Sequence, residues 1–379
     1  MQVPLRPLEA ASWAHSVVPG ARYDLSPGFA SQRRDDDDEH PALAWDEAES
    51  SLVHAVADRY NVETSQVALC PGAGQAVVQA LIAMLRPGDH VVVERPSYEP
   101  LFRVPEMLGA SVARIDRRIE DGWQLVPERL AKVLTPRTRA VVLTNLHSPS
   151  GVACSPRTLA EIAGLAARVG AALLVDEVLL DFAFDLDPAA PCRPACTVAD
   201  NAISFSSTSK GFGLPELRVG WLVTRDPDLA RGLRIAADYL HTRLPAATAR
   251  LAAHAVRHAD DFIPRANRLA SAGRRVVERW AQGEPRVEWI PPHAGMHTVV
   301  RLPVGVNDLA FAAHLRARYE TQVIPGSVLE APQCVRLGFA APTQVLEQGL
   351  ANFSAALDDL LGGAAPDRPP AHNDPQDAA

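Results

Sequence analysis

One stretch decides how this chain is organised: Ser204-Phe-Ser-Ser-Thr-Ser-Lys210-Gly-Phe-Gly-Leu-Pro-Glu-Leu-Arg218-Val-Gly-Trp221. A run of small hydroxyl residues ends at a lysine, a glycine turn follows, and an arginine comes soon after. Small side chains let a planar cofactor lie close to the backbone, where Lys210 can form a Schiff base with an aldehyde. Ser207, Ser209 and Arg218 are then candidates to hold a phosphate. Taken alone, the stretch is also compatible with a polar turn and a surface lysine.

Length, composition and charge narrow the class of protein. The chain has 379 residues, of which 47% are hydrophobic and 22% charged, with a net charge of −8. This length accommodates a large α/β domain and a second, smaller one. No concentrated basic stripe is present, so nucleic acid is not expected as a partner. With no apolar run of the roughly 18 residues that a span requires and no signal-peptide core, we expect no membrane contact and a cytoplasmic location.

The cysteines do not predict a metal site. Of the five cysteines in the chain, only Cys192 and Cys196 lie close together, and no second pair or histidine cluster accompanies them. A structural zinc site usually needs four such ligands at defined spacings. We therefore expect no bound metal.

Strands and helices alternate through the first two thirds of the chain. The predicted strands are Val67–Cys70, Val91–Glu94, Ala140–Asn145, Ala171–Glu177, Ala202–Phe205 and Arg218–Thr224, and the predicted helices are Glu47–Tyr60, Gln75–Leu85 and Pro156–Val169. Apolar strands separated by helices indicate an α/β fold with a mostly parallel sheet covered by helices on both faces.

The remainder of the chain follows a different pattern. A long helical stretch runs from Asp226 to about Trp280, and short strands near residues 287–289, 298–302 and 335–339 flank a helix at Asp308–Tyr319. We predict an N-terminal arm at 1–45, a large domain at 46–280, a small α+β C-terminal domain at 281–361 and a disordered tail at 362–379. The charge run Arg33–Glu39 in the arm is typical of a solvated loop.

Several candidate residues follow predicted strands at their carboxyl ends, the edge of an open parallel sheet where ligands bind. Gly72, Ala73, Gly74 and Gln75 form a turn before a helix, which directs free N–H groups at an anion. Tyr98 follows a proline-stiffened loop and is placed either to stack on a planar ring or to pack in the core. Asp176 ends an apolar strand and can pair with a protonated pyridine nitrogen. Its neighbour Glu177 is equally compatible with a cap on a helix or turn.

Together and in this order, the motifs resemble those of the fold-type I aminotransferases, which depend on pyridoxal phosphate (PLP). The resemblance covers about residues 45 to 360. It implies that Lys210 binds the cofactor covalently, that Asp176 pairs with its ring nitrogen and that Tyr98 stacks on the ring. It also implies that Arg336 grips the α-carboxylate of the substrate, and that the protein is a homodimer. The phosphate would be surrounded by Ala73, Gly74, Gln75, Ser207, Ser209 and Arg218.

Several positions depart from the family pattern, and two of them concern the phenolic oxygen of the cofactor. Where the family has an asparagine that hydrogen-bonds to the phenolic oxygen of the cofactor, this chain has Ser148, and where it has a tyrosine that donates to the same oxygen, this chain has Leu179. The phenolate loses donors that stabilise it, so the pKa of the cofactor–lysine linkage should be higher than usual. His147, His293 and His297 are further candidates to line the pocket, or ordinary loop histidines.

Three functions remain compatible with the sequence, and the first is favoured because it is the commoner chemistry on this fold. The first is transamination, in which the α-amino group of an amino acid moves to a 2-oxo acid. The run from Phe212 to Trp221 is also similar to the capreomycidine synthases, relatives that catalyse elimination and ring closure on an amino acid. The third is a non-catalytic module that senses PLP or amino acids. The identity of the substrate side chain is not indicated by any motif.

Overall fold

A computed structural model describes residues 8, 45–182 and 192–362. The segment Tyr23–Gly28, where we expected a strand and turn, lies outside the described residues. So do the charge run at 33–39 and the tail after Gly362.

The large sheet has seven strands. They are β1 (Val67–Cys70), β2 (His90–Arg95), β3 (Ser111–Asp116), β4 (Thr138–Thr144), β5 (Ala172–Asp176), β6 (Ala202–Ser207) and β7 (Gly220–Thr224). Their order in the sheet is β1-β7-β6-β5-β4-β2-β3. Strands β2 to β6 are parallel to one another, and β7 is antiparallel to both β6 and β1. The mostly parallel α/β sheet is confirmed.

Ten helices are described around this sheet and the one that follows it. They are α1 (Trp45–Tyr60), α2 (Ala73–Met84), α3 (Pro100–Met107), α4 (Pro127–Val133), α5 (Pro156–Ala167), α6 (Pro227–Leu240), α7 (Ala246–Arg257), α8 (Ala259–Gly283), α9 (Asp308–Tyr319) and α10 (Thr343–Leu361).

Apolar residues of the central strands are buried on both faces of the large sheet. In β2, Val91 and Val93 belong to a core shared with α2 and α6, whereas Val92 belongs to a core shared with α5. Successive side chains of a strand point to opposite faces, so a strand covered on both sides must be apolar throughout. The continuous apolar runs in the sequence are therefore the signature of this double covering.

A smaller antiparallel sheet lies in the C-terminal region. Its strands are β8 (Glu288–Trp289), β9 (His297–Arg301), β10 (Ile324–Pro325) and β11 (Cys334–Gly338), in the order β10-β11-β9-β8. Helices α8, α9 and α10 contribute to the core that covers it. This arrangement has the α+β character that the sequence predicts.

The sequence missed some elements and misplaced some boundaries. Strand β3 has partly exposed, polar residues, so it lacks the apolar run by which the other strands were identified. The long helical stretch is three helices, and α7 begins directly after Pro245. Helix α2 begins at Ala73, two residues before the predicted start, because Gly72 makes the sharp turn out of β1.

Helix α8 packs against two cores. Ala259, near its start, belongs to the core beside α1 and α7, whereas Ala270, Val276 and Val277 belong to the core of the small sheet. The predicted division at residues 280 and 281 stays a proposal. Among the described residues, no helix is both long and apolar enough to cross a membrane.

We predict that Gly273→Ala destabilises the protein. Gly273 is buried in α8, and an added Cβ would collide with the backbone carbonyl of Phe339 and approach a methyl group of Leu346. Overpacking against a backbone atom costs about 1–3 kcal/mol. The measurement is the free energy of unfolding from chemical denaturation.

Gly164→Ala is the matched control. Gly164 lies inside α5, and a Cβ added there meets no atom within 4 Å. Alanine is a better helix former than glycine by about 1 kcal/mol, so this variant should be at least as stable as the parent. Equal stability of the two variants would contradict the close packing of α8 against the small sheet.

Candidate active site

The carboxyl ends of three parallel strands bring polar residues together. Thr144 is the last residue of β4 and is paired in register with Asp176, the last residue of β5. Ser207 ends the adjacent strand β6. Parallel strands that end at one edge place their last side chains side by side, which is how open α/β sheets build ligand sites.

A cavity of about 570 Å³ lies between this edge and the small sheet. The structure brings to it ten of the residues that the sequence predicted for the site: Ala73, Gly74, Tyr98, Ser148, Asp176, Ser207, Ser209, Lys210, Arg218 and Arg336. Leu179 and His297 line it too. Its size is within the range of cavities that hold small molecules and cofactors.

One end of the cavity is a cradle for an anion. Gly72 has a φ of 83° and starts α2, so the backbone N–H groups of Ala73 and Gly74 lie in the first turn of that helix. A Cβ on Gly72 would lie only 2.6 Å from Nη2 of Arg218. The missing side chain therefore lets the guanidinium approach the helix N-terminus, where the backbone dipoles also attract an anion.

Arg218 is held in an uncommon backbone conformation. It has a φ of 52° and follows the short turn Pro215–Leu217, whose Pro215 carbonyl accepts a hydrogen bond from its Nη1 at 3.2 Å. A non-glycine residue in the left-handed region carries strain, which is typical of ligand-binding sites. The strain accompanies an arginine directed at the cradle.

Gln75 does not reach the cavity. Its backbone N–H donates to the carbonyl of Gly72 at 3.1 Å, as part of the tight first turn of α2. Its side chain is outside the set that lines the cavity. Its role toward a phosphate stays a prediction, with less support than those of Ala73 and Gly74.

Asp176 has a buried carboxyl group. Its pKa is raised to about 7, mainly by burial and also by the charge of Glu94. A hydrogen bond from the backbone N–H of Val178 to Oδ1 (3.0 Å) and the charge of Lys210 oppose this rise. A cationic group that docks against this carboxyl would favour the ionised form. The position is therefore suited to hold a proton on a ring nitrogen.

Positive charge predominates around the cavity. Among the described residues that line it, Lys210, Arg218 and Arg336 are cationic and Asp176 is the one carboxylate. Such a site attracts a ligand with more than one negative group, for example a phosphate and a carboxylate. The cradle and the donor set fit a phosphate-bearing cofactor together with a carboxylate substrate.

The small sheet supplies the opposite wall. In the β9–β11 pair, His297 is opposite Gly338, and Val299 is opposite Arg336. Residues directly opposite share a face, so His297 and Arg336 lie on the same side of the sheet. Gly338 has no side chain to fill the space beside them. Burial, Arg336 and Lys210 lower the pKa of His297 to about 3, which leaves its imidazole neutral at pH 7.

A buried polar network supports the loop that carries Ser148. Glu94 and Arg117 form an ion pair at 3.0 Å, and neither side chain is exposed to solvent. The other carboxylate oxygen of Glu94 accepts from the backbone N–H of Thr144 at 2.6 Å and from its hydroxyl. Thr144 Oγ1 then accepts from the backbone N–H of Ser148 at 2.9 Å.

Leu179 occupies an apolar part of the wall. It is 3% exposed and belongs to the core of the small sheet, together with Leu146 and Phe182. Its side chain has no hydrogen-bond donor, so the position can pack against a ring but cannot donate to an oxygen. Leu179 lines the cavity, which is compatible with the place near the cofactor that the family resemblance implies.

Two of the candidate histidines lie elsewhere. Both ring nitrogens of His147 are engaged, Nδ1 with Ser150 Oγ at 2.6 Å and Nε2 with the carbonyl of Pro96 at 3.1 Å. His293 Nδ1 accepts from the backbone N–H of Ala153 at 3.0 Å. Both histidines therefore support loops. Glu177 likewise accepts from the backbone N–H of Ala195 at 2.6 Å, at the start of a short helical turn.

Sequence reasoning did not find several cavity residues. Those it missed are Thr144, Leu146, Val178, Pro215, Met296, Gln322, Val323, Ile324 and Gly338. Most of them are apolar and belong to no motif, so nothing in the sequence distinguishes them from core residues. Within the described parts of the chain, no group of three or more metal-ligating side chains is positioned to hold an ion.

The fold and the cavity together define a class, the fold-type I PLP-dependent enzymes. A family model for aminotransferase class I and II matches residues 46–352, and the chain belongs to this family. The predicted cofactor, pyridoxal phosphate, and the predicted family are both confirmed by this membership and by the similar structures.

Relatives of two kinds are found. Capreomycidine synthase of Streptomyces vinaceus is 34% identical over 92% of this chain and 89% of its own. Arginine–pyruvate transaminase of Pseudomonas aeruginosa is 29% identical over 80% and 77%.

The similar solved structures also include both an aminotransferase and a cyclase. A PLP-dependent aminotransferase from Streptococcus suis matches with a TM-score of 0.78, 27% identity and 83% coverage of both chains. The PLP-dependent cyclase OrfR matches with a TM-score of 0.73, 30% identity and 82% coverage of both.

We predict that Lys210→Ala abolishes covalent attachment of the cofactor. Lys210 is exposed in the cavity and is not a core residue, so the variant should keep the fold. The visible absorbance of the PLP-loaded protein should disappear. Borohydride reduction followed by peptide mass spectrometry should find the cofactor on Lys210 in the parent protein and on no residue of the variant. A reduced adduct in Lys210→Ala would refute the assignment.

We also predict that Leu179→Tyr shifts the pH titration of that absorbance to lower pH. A phenol hydroxyl at this position can donate to the phenolic oxygen of the cofactor and stabilise its anionic form, by about one pKa unit per 1.4 kcal/mol. Leu179→Phe is the matched control, since it introduces the same ring without the hydroxyl. Equal titration of the two variants would mean that position 179 does not face that oxygen.

Proposed function

We propose that this protein is a PLP-dependent enzyme that catalyses elimination and ring closure on an amino acid. The observation that carries the proposal is its similarity to capreomycidine synthase and to a PLP-dependent cyclase, each at 30% identity or more over most of both chains. Support from the site comes from Ser148 and Leu179, which replace the two polar residues that aminotransferases use beside the ring.

The reaction is balanced without an oxidant or a second substrate. The Cα proton and a leaving group at Cβ are lost, and a nucleophile in the side chain of the same substrate then forms a bond to Cβ. A proton returns to Cα, and the proton of the nucleophile leaves with the departing group. For a β-hydroxy amino acid the net change is the loss of water.

Pyridoxal phosphate supplies an aldehyde for covalent attachment and a ring that accepts the electron pair from Cα. We assign the phosphate to Ala73, Gly74, Ser207, Ser209 and Arg218, which form the cradle. Because the cradle fixes one end of the cofactor, the other groups of the cavity meet its reactive end.

The remaining charged residues orient the substrate and move protons. Arg336 binds the α-carboxylate through its paired N–H donors. The Lys210 amine takes the proton from Cα and is then the acid that can protonate the leaving group. Asp176 keeps a proton on the ring nitrogen, because its carboxylate is stabilised by that cationic group in a buried site.

The apolar wall has a role of its own in ring closure. Leu146, Leu179, Met296, Val323 and Ile324 line part of the cavity, and their apolar side chains do not hold water as the polar lining residues do. Water that reaches Cβ competes with the side-chain nucleophile of the substrate. Exclusion of water therefore favours the ring over a hydrolysed product.

Transamination is the second candidate. It is supported by the similarity to an arginine–pyruvate transaminase and by the presence of the lysine, the aspartate and the arginine that this reaction also needs. It differs from ring closure in one decisive requirement, since the amino group must pass to a 2-oxo acid.

The experiment is a product analysis with PLP-loaded protein. The panel contains arginine, other unmodified amino acids and their β-hydroxylated forms, each with and without pyruvate or 2-oxoglutarate. We expect mass spectrometry to find a product lighter by one water, formed without a 2-oxo acid, and carrying deuterium at Cα when the reaction runs in heavy water.

The control is Lys210→Ala, which should form no product. A 2-oxo acid made only when a 2-oxo acceptor is added would establish transamination in place of ring closure. Release of ammonia with a 2-oxo acid, in the absence of an acceptor, would show elimination without closure. A change in absorbance without any turnover would favour the sensing module.

A further inference from the structure

His297 connects the small sheet to the loop that carries Ser148. It starts β9, lines the cavity, and shares a sheet face with Arg336. Its Nε2 lies 3.5 Å from Ser148 Oγ, which belongs to the opposite wall. The two residues are 149 positions apart in the chain, so this contact bridges the large and small sheets.

The backbone positions of Ser148 and His297 are both fixed by hydrogen bonds. The backbone N–H of Ser148 is bonded to Thr144 Oγ1, at the end of the network from Glu94. His297 is fixed by its register with Gly338 in β11. The imidazole is neutral, because burial and the nearby charges of Arg336 and Lys210 lower its pKa. It therefore has one N–H and one lone pair, and the tautomer decides what it offers to Ser148.

The charge of the cavity selects between the two tautomers. If Ser148 donates its hydroxyl proton to His297, only oxygen lone pairs remain to face the cavity, and these repel an anion. If His297 donates from Nε2 to Ser148 Oγ, the hydroxyl proton is free to point at the ligand. Among the described residues that line the cavity, cations outnumber carboxylates, so the cavity attracts anionic groups and a bound anion favours the second arrangement.

We propose that His297 is a positioning residue that donates to Ser148, so that the Ser148 hydroxyl donates in turn to an anionic oxygen bound in the cavity. That oxygen belongs either to the ring of the cofactor or to the carboxylate of the substrate. The inference deepens the proposed function and rests on the cofactor being held at Lys210, but it holds for either reaction.

The test uses PLP-loaded protein without substrate. Ser148→Ala removes the donor, His297→Phe removes the ring nitrogens but keeps a planar ring, and the double variant removes both. If the acceptor is the ring oxygen of the cofactor, the pH titration of visible absorbance should move up by about one unit in each variant, a tenfold change in proton affinity. The double variant should move no further than a single one, because both act through the same hydrogen bond.

A second measurement identifies the oxygen. The dissociation constant of propionate is obtained from its effect on the same absorbance. A shifted titration without propionate indicates the ring oxygen, and a roughly tenfold weaker affinity for propionate, with an unchanged titration, indicates the carboxylate. Either result supports the proposal. If His297→Phe leaves both quantities unchanged while Ser148→Ala alters one of them, the proposal is overturned.

Two further variants separate positioning from a general effect on structure. His297→Gln retains an N–H donor and should restore at least part of the shift. His293→Phe removes an exposed histidine that does not line the cavity, and it should alter neither quantity. A His293→Phe variant that reproduces the effect of His297→Phe would overturn the proposal. If borohydride reduction finds no cofactor adduct at Lys210 in the parent protein, the proposed function itself is refuted.

Discussion

The buried ion pair between Glu94 and Arg117 is the interaction on which the geometry of the cavity most depends. Arg117 follows the edge strand β3, Glu94 lies in β2, and the carboxylate continues through Thr144 of β4 to the backbone of Ser148. Burial raises the pKa of Glu94, and the hydrogen bonds and the charge of Arg117 oppose that effect. Removing one partner of such a pair leaves an uncompensated buried charge, which typically costs about 3–5 kcal/mol. The pair therefore constrains the end of the sheet as well as stabilising it.

The same ion pair also affects the pKa of a residue in the cavity. Glu94 is among the charges that raise the pKa of Asp176, while Lys210 lowers it. The pKa of the Asp176 carboxyl thus depends on charges of both signs around it. A cationic ring nitrogen would compensate for the burial of Asp176, so binding of the cofactor and ionisation of this residue favour each other.

The relatives share a scaffold and differ in chemistry. A fold that holds a planar cofactor between a cradle for phosphate and an arginine for carboxylate can support several reactions, because the cofactor supplies the electron sink in each. Ser148 and Leu179, which depart from the family pattern, line the cavity together with His297. Ser148 and Leu179 were identified by their departure from the family motifs. His297 was one of three histidines that the sequence could not distinguish.

The sequence by itself determined the alternation of strands and helices, the family and most of the cavity residues. These follow from local patterns: apolar runs make strands buried on both faces, and the residues next to Lys210 and Gly72 have the types that a phosphate and an aldehyde require. The tertiary structure decided what those patterns leave open. It showed that Gln75 does not line the cavity, whereas Ala73 and Gly74 of the same turn do, and it revealed the polar edge strand β3. It also brought His297 to Ser148, because that contact depends on the register of β9 with β11 and on the packing of two sheets, which no local pattern encodes.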